Sequence, residues 1–236
     1  MKKFAVLVIF VVIYSLGSIN IYAGSNTQSL NNFVKIRDHE DSFTDISSTD
    51  WFYSRVLTAY SYGIINGMGN NLFSPKNSLS CAEALTLAAK THAVYFYGTN
   101  GDSKIDEYNY ENDSSWYGKY VRYCKDHNLI ENEFDNILSQ PITRAQMVFA
   151  WSKLLSDADM EEQNVVISLP DVNNSTEYHA EIFAFYHAGI LSGTDEQGTF
   201  KPDDKITRAE ASAIFMNLID KSLRASSHTF FQTEKV

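Results

Sequence analysis

Apolar residues recur along this chain at helical spacing, in pairs of segments that are separated by polar turns. In the first pair, Trp51, Val56 and Tyr60 follow a helical period until Gly63, a residue that suits the left-handed position after a helix. A second apolar run follows over Ser80 to Tyr97. The pattern therefore predicts a helix-loop-helix unit.

The unit recurs twice more. Aligning the first-helix ends superimposes Gly63 on Asn128 and Gly189, and the starts of the second helices then fall at Ser80, Thr143 and Thr207. Tryptophan precedes the first helix in two copies, as Trp51 and Trp116, and the third copy has Glu177 there. A fixed period of about sixty residues is the signature of a repeat protein. One such helix pair cannot bury its own apolar face, so we expect the copies to pack on one another.

Each second helix opens with a reciprocal capping box. Thr207 is followed three residues later by Glu210, and Thr143 by Gln146. Arg208 and Arg144 occupy the first turn, where a cation opposes the helix dipole. We therefore expect an anion, from the protein or from a ligand, to lie beside each arginine.

Composition and charge narrow the class of protein. The first 23 residues have a short basic start, an apolar run over Phe4 to Tyr14 and a small residue, Ala23, which predicts a secretory signal peptide and an exported protein without a membrane span. Removing its two lysines changes the formal net charge from −10 to −12. Nucleic-acid and lipid-headgroup binding are not predicted for so acidic a chain. Cys81 and Cys124 either form a disulfide or are two buried small side chains.

These patterns divide the chain into eight segments. They are a signal peptide (1–23), a polar N-terminal tether (24–42), repeat 1 (43–97), a linker (98–112), repeat 2 (113–156), a second linker (157–168), repeat 3 (169–223) and a C-terminal tail (224–236).

The repeats resemble the S-layer homology domain family. The resemblance is carried by a Phe-x-Asp-Ile or Pro-Asp-Val entry (43–46 and 170–172), a Gly-Ile-Ile-type turn, an Asp-x-x-Gly-Thr-Phe-x-Pro loop and an Ile-Thr-Arg-Ala-Glu helix start. The third copy matches this pattern almost completely. The first copy has Ser80 and Cys81 in place of Thr-Arg, and the loop of the second copy is shortened.

The resemblance implies an all-α fold in which three helix-loop-helix repeats pack as a pseudo-threefold spindle around a central helical bundle. It also implies a secreted protein of the cell wall or S-layer that is anchored noncovalently by a peptidoglycan-linked secondary cell-wall polysaccharide. That polymer is often pyruvylated and binds in grooves between repeats. A guanidinium suits its carboxylate, and exposed helix N–H groups would add donors. The ligand-binding residues that follow are Arg144, Arg208, Thr143, Thr207, Gln146, Glu210, Trp51, Trp116, Gly63, Gly189 and Gly193.

Each of these residues also has a purely structural interpretation. In this interpretation Arg144 and Arg208 pair with local carboxylates such as Asp203 or Asp204, and the threonines and their partners act only as helix caps. The tryptophans are then buried in the core, and the glycines are there for their backbone conformation. A second function accordingly stays open: a structural or protein-binding component of the cell envelope that has lost glycan binding.

Catalysis is not predicted. The six histidines are scattered, and the chain contains no His-Glu-x-x-His helix, no Gly-x-Ser-x-Gly turn and no phosphate-binding loop. No cofactor and no metal site are predicted either.

Overall fold

A computed structural model describes residues 28–38, 43–111, 113–226 and 229–230. The predicted signal peptide lies outside the described residues. Seven α-helices occur in the described part: Tyr53–Ser61 (α1), Cys81–Tyr97 (α2), Gly101–Asp106 (α3), Gly118–Asp126 (α4), Arg144–Trp151 (α5), His179–His187 (α6) and Arg208–Ile219 (α7). Two short strands, Val165–Val166 (β1) and Thr229–Phe230 (β2), pair in parallel. The predicted all-α class is confirmed.

All three second helices begin at the capping boxes that the sequence predicts. Ser80, Thr143 and Thr207 each accept a hydrogen bond from the backbone N–H three residues later, and the side chain at that later position accepts one from the cap residue. Two otherwise unpaired backbone donors are thereby satisfied at each helix start.

The three repeats close into a ring through their backbones. Leu79 N donates to the Ile206 carbonyl (2.9 Å), Ile206 N to that of Ile142 (3.2 Å), and Ile142 N to that of Leu79 (3.0 Å). The three side chains are fully or almost fully buried. Because equivalent residues donate to one another in a closed cycle, the centre of the molecule has the pseudo-threefold arrangement of a spindle.

Helix packing follows the same cycle. The second helix of each repeat packs against the first helix of the next, which pairs α2 with α4, α5 with α6, and α7 with α1. Trp151 on α5 is buried and donates through Nε1 to the Ala84 carbonyl on α2 (3.1 Å), so repeats 1 and 2 also meet directly. The core is therefore continuous across all three repeats.

In repeats 1 and 3, an aspartate at the equivalent position holds the loop between the two helices. The Asp45 carboxylate accepts from the backbone N–H groups of Phe73 and Ser74, at 2.8 and 2.7 Å. Asp171 accepts from the N–H groups of Phe200 and Lys201, at 2.9 and 2.6 Å. Both aspartates therefore brace the turns of their repeats.

The connecting segments are more ordered than their composition suggests. Residues 28–38 of the expected tether lie along repeat 1, where Phe33 is buried and Arg37 donates through Nε to the Tyr60 carbonyl (2.6 Å). The first linker contains α3, which packs on α2. Strand β1 of the second linker pairs with strand β2 of the tail. Arg224, also in the tail, caps α7 by donating to the Asn217 and Leu218 carbonyls. Local polarity missed the contacts of the tether and of the strand pair because their partners are distant in the sequence.

Candidate functional site: two arginine-lined grooves between repeats

The motif arginine of repeat 2 reaches into repeat 3. Arg144 is 5% exposed; its Nε donates to the Phe200 carbonyl (2.7 Å), and its Nη1 lies 3.2 Å from Glu210 Oε1. The guanidinium carbon lies 5.1 Å from the centroid of the Phe200 ring. No acceptor among the described residues hydrogen-bonds to Arg144 Nη2.

The motif arginine of repeat 3 makes the equivalent contacts to repeat 1. Arg208 donates through Nε to the Phe73 carbonyl (2.8 Å) and through Nη1 to Glu83 Oε1 (3.2 Å). It also donates through Nη2 to the Asn66 carbonyl (2.6 Å). Burial lowers the pKa of Arg208, and the nearby carboxylates of Glu83 and Asp45 oppose that shift.

The anion expected beside each arginine is thus first of all a protein carboxylate, although not a local one. The suggestion of Asp203 or Asp204 as partner is wrong, because the carboxylates that pair with Arg144 and Arg208 are those of Glu210 and Glu83. Glu83 and Glu210 are the capping-box residues of the neighbouring helices. They lie 125 and 66 positions away from their arginines, a separation that only the ring brings together.

The expectation of exposed N–H groups at these helix starts is also wrong. Arg144 N and Ala145 N donate to the carbonyls of Asp204 (2.9 Å) and Pro202 (3.1 Å) in the loop of repeat 3. Repeat 1 supplies the corresponding carbonyls to α7, and the capping side chains take a third N–H. These donors are used in packing the repeats together and are not available to a ligand.

An open crevice of about 440 Å³ lies beside Arg208, between repeats 1, 2 and 3. We call it the Arg208 groove. Its walls are the turn Ile64 to Gly67, Glu83 and Lys90 of α2, and Trp116 with Lys119 and Tyr120 from the start of the first helix of repeat 2. Trp116 is 59% exposed.

A second crevice of about 500 Å³ lies beside Arg144, and we call it the Arg144 groove. Its walls are the turn Ile190 to Thr194, Glu210 and Asn217 of α7, and Trp51 with Arg55 from repeat 1. Trp51 is 62% exposed. Both tryptophans therefore lie at groove walls and not in the core. Trp116 of repeat 2 faces the turn of repeat 1, and Trp51 of repeat 1 faces the turn of repeat 3.

The third position of the cycle is built differently. Cys81 replaces the arginine and is fully buried, and Gln146 replaces the glutamate that an arginine would require. Here the Phe149 and Tyr178 rings stack with centroids 4.4 Å apart. Ala82 N donates to the Leu138 carbonyl (2.8 Å), so Leu138 takes the place that Pro75 and Pro202 have in the other two loops. We call this site the Cys81 joint.

The remaining predicted ligand residues divide into two groups. Gly193 lines the Arg144 groove, whereas Gly63 and Gly189 lie outside both grooves. A Cβ at Gly189 would lie 2.1 Å from the Ala225 carbonyl oxygen, and one at Gly63 would lie 2.5 Å from the Ile36 side chain. Thr143, Thr207 and Gln146 act as caps and line neither groove.

The groove residues that sequence reasoning missed include Arg55, Lys90, Lys119 and Tyr120. Arg55 and Tyr120 each follow a groove tryptophan by four residues, a helical spacing that puts two side chains on one face. That spacing was a usable signal for both. Lys90 had no such signal. Its Nζ donates to the Gly63 carbonyl (3.0 Å), a partner 27 positions away that no local spacing indicates.

The described residues contain no group of three or more histidine, cysteine, aspartate or glutamate side chains that is arranged to hold a metal ion. None of the helices in this part of the chain has the length and apolar character that a membrane crossing requires.

Comparison with known proteins agrees with this architecture. Residues 42–85 and 168–212 match the S-layer homology domain model. These segments contain the first helices and second-helix starts of repeats 1 and 3; residues 113–156 lie outside the two matches but take the corresponding place in the ring.

Three known proteins are similar in sequence to parts of this chain. The Middle cell wall protein of Brevibacillus brevis and the Surface layer protein of Brevibacillus choshinensis are each 33% identical over 57 residues, which is 24% of this chain and 5% of theirs. The Exoglucanase XynX of Acetivibrio thermocellus is 25% identical over 188 residues, which is 77% of this chain and 16% of that protein. The chain thus spans only a small part of each.

The chain therefore carries S-layer homology domains at residues 42–85 and 168–212. Two of the relatives are, by their names, proteins of the cell wall and of the surface layer.

Proposed function

We propose that this protein attaches noncovalently to the cell envelope by binding an anionic, pyruvylated secondary cell-wall polysaccharide in the Arg144 and Arg208 grooves. The observation that supports the proposal is the same combination in both crevices: a motif arginine at the base, an exposed tryptophan at the rim, and open volume between them. The role is binding without catalysis.

The arginines supply a site for a carboxylate. Arg144 uses its Nε and Nη1 within the protein and keeps Nη2 at the groove, without an acceptor among the described residues. A planar guanidinium that is already fixed by two bonds loses little side-chain entropy when it binds a further anion. A partly desolvated contact of this kind contributes about 1.5–3 kcal/mol.

The tryptophans supply a surface for the sugar ring. Trp51 is 62% exposed and Trp116 is 59% exposed, so each indole offers an open aromatic face at its groove. Two such residues, one per groove and at equivalent positions of repeats 1 and 2, suit the apolar face of a pyranose ring. The Cys81 joint has neither feature, since Glu177 replaces tryptophan there.

The alternative function rests on the same arginines. Their bonds to Phe73, Phe200 and the two glutamates hold adjacent repeats together, so both side chains have a structural role whether or not a glycan binds. A structural or protein-binding envelope component would need no more than this.

A pull-down with purified cell-wall sacculi distinguishes the two functions. Because removing the buried arginines risks unfolding, the main test uses Trp51→Ala combined with Trp116→Ala, with Tyr110→Ala as the control for an exposed aromatic side chain outside both grooves. Glycan binding predicts that the double variant loses retention while Tyr110→Ala keeps it, with unfolding midpoints close to that of the unchanged protein. Equal retention of all three proteins would reject the grooves as the glycan site.

Arg144→Gln with Arg208→Gln is the second variant. Loss of retention in this protein, at a salt concentration where circular dichroism shows it folded, supports a role of the guanidiniums in binding. Because the chain is strongly acidic overall, it is repelled by an anionic polymer at long range. We therefore expect retention to hold or improve as ionic strength rises moderately.

A further inference from the structure

Arg55 is an arginine without an adequate partner. Its Nε is buried and makes no hydrogen bond within the described residues, and its Nη2 lies 3.5 Å from Asn217 Oδ1, beyond the usual N–H···O range. No carboxylate of the described residues forms an ion pair with it. A buried donor without an acceptor is costly and calls for an explanation.

Arg55 shares the Arg144 groove with Arg144 itself. Among the described residues, the one carboxylate that lines this groove is that of Glu210. Both of its oxygens are already used, Oε2 by the Thr207 cap and Oε1 by Arg144. Two guanidiniums therefore face a single committed carboxylate, in a chain whose formal net charge is −10.

The fold does not require an arginine at this position. The equivalent residues of the first helices, four positions after Trp116 and Glu177, are Tyr120 and Glu181. In the Arg208 groove the additional cations are committed within the protein: Lys119 lies 2.6 Å from Asp106, and Lys90 donates to the Gly63 carbonyl. Arg55 is the groove cation that lacks such a commitment.

We propose that Arg55 is a second ligand-binding cation of the Arg144 groove, so that one carboxylate of the glycan is held between Arg55 of repeat 1 and Arg144 of repeat 2. This inference rests on the proposed function and assigns the acidic group of the ligand to a particular pair of side chains. The ligand supplies acceptors to Arg144 Nη2, which bonds to none of the described residues, and to the terminal nitrogens of Arg55, which lines the groove, whereas Arg55 Nε is itself buried. The two grooves then differ in how strongly they depend on the ligand's charge.

The tryptophans allow each groove to be measured separately. The chain has three tryptophans, of which Trp51 reports the Arg144 groove, Trp116 reports the Arg208 groove, and Trp151 is buried in the core. In Trp116→Phe, fluorescence titration with a pyruvate-ketal monosaccharide follows the Arg144 groove. In Trp51→Phe it follows the Arg208 groove. An ethylidene-acetal analogue of the sugar lacks only the carboxylate.

We expect Arg55→Gln to weaken binding of the pyruvate-ketal sugar at the Arg144 groove by about 10- to 100-fold. Binding of the ethylidene analogue at that groove, and of either sugar at the Arg208 groove, should change by less than about twofold. Arg55→Lys keeps the charge and should lose less affinity than Arg55→Gln. Lys76→Gln, which removes an exposed charge outside both grooves, should leave all values unchanged.

Unchanged affinity for the pyruvate-ketal sugar in Arg55→Gln would overturn the inference and leave the proposed function standing. An equal loss for both sugars would also overturn it, because that result means a structural effect of Arg55. If neither tryptophan responds to the sugar and sacculi do not retain the unchanged protein, the proposed function fails, and this inference fails with it.

Discussion

Arg144 Nη1 lies 3.2 Å from Glu210 Oε1, although the two residues begin the second helices of different repeats. Glu210 uses its other oxygen to accept from the backbone N–H of Thr207 (2.9 Å). One carboxylate thus caps its own helix and binds the preceding repeat to it. Arg208 and Glu83 repeat the arrangement, again at 3.2 Å.

Glu210→Gln should separate these two roles. Glutamine caps a helix equally well at the equivalent position in repeat 2, so the capping box survives while the Arg144 side chain loses its counter-charge. We expect the free energy of unfolding to fall by about 1–3 kcal/mol, measured by urea denaturation. Glu107→Gln removes an exposed partner of Lys104 and should cost less than about 0.5 kcal/mol. Equal effects of the two substitutions would contradict this account.

Cys81→Arg restores the family motif in sequence but should destabilise the protein. Cys81 is fully buried, and the side chain that an arginine would meet is the neutral Gln146. Overpacking together with an unpaired buried charge should cost at least about 2 kcal/mol, seen as a lower thermal midpoint. Adding Gln146→Glu should recover part of the loss. If the variant with Cys81→Arg alone were more stable than the unchanged protein, the Cys81 joint would tolerate arginine and the prediction would be wrong.

Both cysteines should be unreactive in the native protein. They are free and buried, and burial raises the pKa of Cys124 and raises that of Cys81 to about 12. Since the thiolate is the reactive form, a chromogenic disulfide reagent should detect neither thiol until guanidinium chloride unfolds the chain, and then two per chain. Fewer than two thiols in the denatured protein kept without reductant would indicate a disulfide.

Acid should weaken the fold partly through His92. Its ring packs against Tyr123 and His127 at the α2–α4 contact, and burial, with a smaller effect of His127, lowers its pKa from 6.5 to about 3. The unfolded chain therefore binds more protons than the folded one between these values, so stability falls as pH drops from 6.5 towards 3. His92→Phe should flatten this part of the stability–pH curve, measured by urea denaturation at several pH values.

His179→Gln is the control for that experiment, because His179 is half-buried on α6, which packs on α5 and is not part of the α2–α4 contact. It should leave the slope unchanged. His92→Phe removes the hydrogen bond to the Tyr123 hydroxyl (2.9 Å) and is expected to lower stability at neutral pH as well. The slope between pH 6.5 and 3, and not the absolute stability, is therefore the quantity to compare; an unchanged slope would exclude His92 as the titrating group.

The sequence by itself determined where the first helix of each repeat ends and where the second helix begins. Capping boxes at Ser80, Thr143 and Thr207 and left-handed residues at Gly63, Asn128 and Gly189 are local features, and the structure has each where the pattern predicts it. Their energetics depend on neighbours within a few positions along the chain, so a repeated pattern is enough to locate them.

Only the tertiary structure decided what the arginines bind and what the grooves contain. The sequence indicated that an anion belongs beside Arg144 and Arg208, but Glu210 and Glu83 come from neighbouring repeats that the backbone ring brings together. The same ring consumes the helix N–H groups that local reasoning had left for a ligand, and it brings Arg55 beside Arg144. Electrostatic partnership depends on distance in space, and a helical period along the chain carries no information about residues that are 66 or 125 positions apart.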